Sequence, residues 1–195
     1  MLIEGRGKIP PTPEIVHLTA TDIEIVADVA TKRNQYRGYA RRQDSWGRGS
    51  ISDPVFVGLL GEHAVALFLN RRASCHLAID SELRPFGDGG IDLTTDGLVF
   101  SIKTRQSTSR SNLFRRVDGR KNLRALRGDF HVFCRRESDR EIWILGWIDS
   151  STMRQVARHV PGIAKNADWW NLDVDDAELT PMCRLVEEIK LRRET

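Results

Sequence analysis

The sequence predicts a mixed α/β domain with a central sheet flanked by helices, and three observations lead there. Two helix-compatible segments fill the first third of the chain. An Asp96-Gly97 turn then joins two apolar runs, and two aromatic and β-branched runs follow at 130–134 and 141–148, before a helical tail. The 195 residues suit one domain. With 40% hydrophobic and 29% charged residues the chain has a globular composition, which excludes wholesale disorder and low-complexity repeats. No apolar run approaches the roughly 20 residues of a membrane span, and the N-terminus has no apolar signal core, so the expectation is a cytoplasmic protein. Three widely spaced cysteines, Cys75, Cys134 and Cys183, form no C-x-x-C, which argues against a disulfide scaffold or a zinc finger.

Residues 1–20 read as a flexible lead-in, because Pro10, Pro11 and Pro13 keep the chain out of helix. The domain then runs over 21–195. Thr21 is the predicted N-cap of a first helix reaching about Arg42, with Ile23, Val26, Val29 and Ala30 as its apolar face and a basic end that includes Arg33. After a Gly- and Ser-rich loop, Asp53 as N-cap and Pro54 at the first helical position start a second helix to about Asn70. Its apolar residues, from Val55 to Leu69, leave almost no polar face, so it should be enclosed by other elements. Glu62 and His63 sit at its centre. An ionised carboxylate there costs several kcal/mol, roughly, unless it is paired, protonated or bound to a cation. Pairing with an arginine of the first helix is one such solution.

The Asp96-Gly97 turn fixes the register of the hairpin that follows a loop-rich stretch at 81–90. It pairs Thr95 with Leu98, Thr94 with Val99, Leu93 with Phe100, Asp92 with Ser101 and Ile91 with Ile102. Alternation puts Leu98, Phe100 and Ile102 on one face and Val99, Ser101 and Lys103 on the other, so Asp92, Ser101 and Lys103 converge. The Asp92–Lys103 diagonal is roughly 7–8 Å between backbones, near enough for both side chains to address one ligand.

Net charge is only +3, but its distribution is uneven. Between Thr104 and Arg127 stand eight bases (Arg105, Arg110, Arg115, Arg116, Arg120, Lys121, Arg124, Arg127) against one acid, Asp118. Asp168 to Glu178 carries five acids and no Lys or Arg. Such segregation points to an anionic partner. The basic tract reads as a loop or short helix. Strands at Phe130–Cys134 and Glu141–Ile148 follow, joined by a loop at Arg135–Arg140, then a short helix from Thr152 to about His159 and a closing helix over Pro181–Arg193. His63, His131, Cys134 and the tryptophans read as packing residues.

The order of enclosed helix with one carboxylate, hairpin with Asp on its first strand and Lys on its second, and basic segment resembles the PD-(D/E)XK nuclease superfamily. Gly58-Leu59-Leu60-Gly61-Glu62 resembles the helix motif, Gly87-Asp88-Gly89-Gly90-Ile91-Asp92 the stretch ending in the metal-binding Asp, and Ser101-Ile102-Lys103 stands in the place of (D/E)-X-K. The strand Trp143-Ile144-Leu145-Gly146-Trp147-Ile148 is similar to ones in phage-encoded members. The resemblance covers a core of about 53–149. It implies a restriction-endonuclease-like fold and a Mg²⁺- or Mn²⁺-dependent nuclease acting on DNA, with Glu62, Asp92 and Lys103 catalytic. It implies Asp92 and Glu62 as metal ligands. The bases Arg105, Arg110, Arg115, Arg116, Arg120 and Lys121 would grip phosphates. Many proteins of this fold act as homodimers on two strands.

Ser101 departs from the motif, which has an acid there. Metal binding is then weaker, or Asp88 or Glu82 substitutes, or the Ile102 carbonyl and a water held by Ser101 complete the coordination, or the chain is a nucleic-acid-binding module that has lost catalysis.

Overall fold

The computed structural model describes residues 8–36, 53–80, 91–107, 112–115, 128–161 and 170–194. Its elements are β1 (Glu14–His17), α1 (Ala20–Tyr36), α2 (Pro54–Ala73), β2 (Leu93–Thr95), β3 (Leu98–Gln106), β4 (Asn112–Arg115), β5 (Phe130–Arg136), β6 (Glu141–Asp149), α3 (Ser150–Val156), β7 (Arg158–Pro161), β8 (Trp170–Val174), a 3₁₀ turn (Asp176–Glu178) and α4 (Met182–Glu194). A five-stranded mixed sheet, in the order β1-β6-β5-β3-β2, is flanked by helices. Among the described strands the β3–β5 pair is the one paired in parallel, and the other neighbours in this sheet are antiparallel. A second sheet, β4-β8-β7, has three strands.

The two faces of the larger sheet bury different cores. Phe100, Ile102, Phe130, Val132 and Cys134 pack against residues of α1, α2 and α4. On the other face Phe133, Leu145 and Ile148 meet Met153 of α3, Val174 of β8 and Leu179. Period-two alternation along β3 and β5 explains the division, since neighbouring residues point to opposite sides.

Several predicted elements change at their ends. Glu14–His17, inside the expected lead-in, is an edge strand paired with β6, because the prolines end at Pro13 and Val16 and Leu18 find room in the core. The cap of α1 is Thr19, not Thr21. Its hydroxyl accepts from the Asp22 N–H at 3.2 Å while Asp22 accepts from the Thr19 N–H at 2.8 Å, a reciprocal pairing that needs the acid three residues on. The Asp53 cap of α2 is as predicted, accepting from the Val55 N–H at 2.9 Å, but the helix continues to Ala73. The short helix expected from Thr152 starts at Ser150, where Asp149 caps it, and gives way to β7 at Arg158. The basic tract begins as the end of β3 and contains β4. Among the described residues no helix is long and apolar enough to cross a membrane.

Candidate functional site

The hairpin register follows the turn for its first three pairs: Thr95 with Leu98, Thr94 with Val99 and Leu93 with Phe100. Asp96 and Gly97, with φ of 49° and 75°, supply the two left-handed positions that this tight turn demands. The expected pairs Asp92–Ser101 and Ile91–Ile102 do not form. Instead the Asp92 N–H donates to the Phe100 carbonyl at 2.9 Å, and the Asp92 carboxylate takes the Ile102 N–H. A side-chain oxygen thus replaces the next backbone acceptor of the ladder and anchors the carboxylate at the edge of β3.

Lys103 completes this edge cluster. Its Nζ lies 3.4 Å from Asp92 Oδ2 and donates to the Ile102 carbonyl at 3.0 Å. Asp92 is buried, whereas the lysine side chain remains partly exposed. An ammonium therefore sits where a carboxylate and a carbonyl oxygen converge, the kind of hard-oxygen pair that binds divalent cations.

Ser101 does not join them. It is fully buried on the face away from α2, beside His131 in the parallel ladder, and its hydroxyl has no hydrogen-bond partner among the described residues. Gly128 closes over it so tightly that a Cβ there would lie 3.2 Å from Ser101 Cβ. His131 is fully buried too. Its Nε2 meets the Ser150 hydroxyl at 2.7 Å, and that hydroxyl donates to the Gly128 carbonyl, so the ring nitrogen is the donor. Burial, reinforced by the positive charge of Lys103, lowers the His131 pKa to about 4. The imidazole is neutral at pH 7.

Glu62 comes from α2, which crosses β3 at Gly61. A Cβ on Gly61 would fall 1.9 Å from Thr104 Oγ1, so only glycine admits this approach. Thr104 shares the face of Ile102, hence α2 covers the face opposite the stem of Lys103. Glu62 is 7% exposed, and Arg33 of α1 stands 3.9 Å from its Oε2 while donating to the Asp80 carbonyl at 2.7 Å. The carboxylate thus has an arginine of the first helix beside it, the pairing that the sequence offered as one of its solutions. Next to it His63 Nε2 meets Asp22 Oδ1 at 2.8 Å. Burial opposes the Asp22 charge, but hydrogen bonds from Thr19 and His63 outweigh it and bring the pKa to about 2.

Arg105 is not presented at the surface as a phosphate-gripping residue would be. Its side chain is 9% exposed and its Nη2 donates to Asp176 Oδ2 at 2.7 Å. The acidic segment therefore supplies part of the anionic partner that the charge pattern demanded, and β4 of the basic tract pairs with β8 of the acidic stretch. Charge segregation was the available signal, but it does not distinguish an internal partner from an external one. Arg115 lies on β4. Asp88, Glu82, Arg110, Arg116, Arg120 and Lys121 lie outside the described residues. Among the described residues no three His, Cys, Asp or Glu gather as a metal-holding group.

No protein-family model matches the sequence, and a search of curated proteins finds no relative.

Proposed function

We propose that the chain is a metal-dependent nuclease that hydrolyses phosphodiester bonds in DNA, built on a restriction-endonuclease-like core of the PD-(D/E)XK kind. One observation carries the reading: Asp92, the Ile102 carbonyl and the Lys103 ammonium converge at one strand edge. Mg²⁺ sites commonly take one or two carboxylates and leave the remaining positions to water and substrate oxygens, so this oxygen set suits Mg²⁺ or Mn²⁺. Asp92 and the Ile102 carbonyl, with Glu62 from α2, would hold the ion, which when bound supplies Lewis-acid stabilisation and an acidified water. Lys103 places a positive charge on a rigid strand, where it orients the attacking water and offsets the charge that develops on the phosphate. The neutral His131 beneath it adds no second positive charge.

A second reading, a nucleic-acid-binding module without catalysis, is favoured by Ser101. The residue in the motif's acid position is fully buried beneath Gly128 and offers the edge cluster no oxygen. Incubation with supercoiled plasmid and with single-stranded DNA, in Mg²⁺ and in Mn²⁺, separates the two. The nuclease cuts, stops with chelator and loses at least 100-fold in rate as Lys103→Ala. Salt-sensitive DNA binding without cleavage in either metal establishes the module.

A further inference from the structure

Arg105 and the acidic segment are charges that the proposed site leaves unused. Lys103 and Arg105 share one face of β3, about 7 Å apart along the strand. Arg105 is nine-tenths buried, and its Nη2 donates to Asp176 Oδ2 at 2.7 Å. Its Nε and Nη1 are buried and have no hydrogen-bond partner among the described residues. A guanidinium carries five N–H donors in a fork that matches two-oxygen acceptors. Asp176 answers part of that fork, and a phosphate group has the oxygens to answer more. Asp176 is held in place by its neighbours: Asp175 caps the 3₁₀ turn by accepting from the Ala177 N–H at 3.0 Å, and Glu178 is paired with Lys8 at 2.6 Å.

We propose that Asp176 is an internal stand-in for phosphate: the acidic segment occupies Arg105 until a nucleic-acid phosphate displaces it. Nucleic acid then binds in competition with the segment at 173–178, and its apparent affinity is reduced by the fraction of molecules in which Asp176 holds the guanidinium. The inference rests on the nucleic-acid reading above. It makes a particular demand on salt dependence. In the native chain one phosphate contact replaces an existing ion pair, so that contact adds little to the salt slope.

The test is binding of a labelled 20-nucleotide single strand, and of its duplex, to the full chain and to Asp176→Asn across a salt series. The variant is expected to bind about five- to tenfold more tightly at low salt. Its plot of log K against log salt should steepen by about 0.7 for the single strand and 0.9 for the duplex, one added phosphate contact. Asp176→Glu, which keeps the charge, should bind like the native chain. Equal or weaker binding by Asp176→Asn overturns the stand-in and leaves the nucleic-acid reading intact, whereas absence of salt-sensitive binding in both proteins overturns both. Should Asp176→Asn not fold, amide exchange in the native chain decides: amides 173–179 exchange faster on adding the oligonucleotide if Asp176 is displaced, and unchanged or slower exchange overturns the proposal.

Discussion

Ser101 illustrates how burial rather than residue type decides what a side chain can do. A serine two residues before a strand lysine has the chemistry to hold a water near a cation, and the pairing Asp92–Ser101 would have brought it there. The ladder instead stops at Leu93, and Ser101 lies sealed under Gly128. Ser101→Asp, which restores the motif's acid, would therefore bury an unpaired carboxylate. It should destabilise the fold by about 3 kcal/mol or more at pH 7 instead of raising cleavage. Urea unfolding beside a plasmid assay checks this; a stable Ser101→Asp protein with enhanced cleavage would show that the pocket under Gly128 opens to the strand edge. Asp92 is legible as a functional candidate from the turn arithmetic, yet its bond to the Ile102 N–H is not, because it requires the ladder to end two pairs early, at Leu93.

Helix α2 buries most of its length in the core and meets β3 closely at Gly61. Gly61 faces Thr104, and in the fold an alanine there would drive its methyl into the threonine hydroxyl. Gly61→Ala improves intrinsic helix propensity by about 1 kcal/mol, but forcing the helix off β3 costs typically 1–3 kcal/mol, so a net loss is expected. Thr104→Ala should recover part of it, and a double-mutant cycle reading a coupling of at least 0.5 kcal/mol would establish the contact. Additive effects would mean that α2 does not rest on Thr104. The same contact sets Glu62 on the α2 side of the sheet, next to the crossing point and within reach of Arg33. From sequence alone the start of α2 was clear, because Asp53 and Pro54 act over a single turn; its companions on α1 were not, because they depend on how two helices pack.

The molecule as a unit is closed by contacts between distant segments. Arg193 near the end of α4 bonds Asp96 in the hairpin turn and the Ala73 carbonyl at the end of α2, tying three elements together. Arg105 and Asp176 join β3 to the acidic segment 71 residues away. Global stability should also record the buried His131. Its pKa falls from 6.5 to about 4 on folding, so the native state resists protonating it. The associated stability is complete above about pH 6.5 and is lost as pH falls from there to about 4, by on the order of 3 kcal/mol. Below that, the lowered carboxyls of Asp22 and Asp149, both about 2, give up their contribution as pH drops from about 4 toward 2. Urea midpoints at pH 7, 5.5 and 4 test the upper window, which should flatten in His131→Asn; an unchanged slope in that variant would assign the titration elsewhere.

Local rules carried the sequence a long way in this chain. The cap and first turn of α2, the hairpin turn with its first three pairs, the runs that became β5 and β6, and the closing helix all rest on interactions within a few residues, which a single sequence displays. Three features were set by packing instead: where Ser101 is buried, which cation stands beside Glu62, and which anion meets Arg105. Each depends on groups brought together from distant parts of the chain, and the periodicity of a strand or helix specifies a face without specifying what lies against it. The basic and acidic stretches make the point most clearly. Their charges are plain in the sequence, but only the pairing of β4 with β8 and of Arg105 with Asp176 reveals that they meet within one molecule.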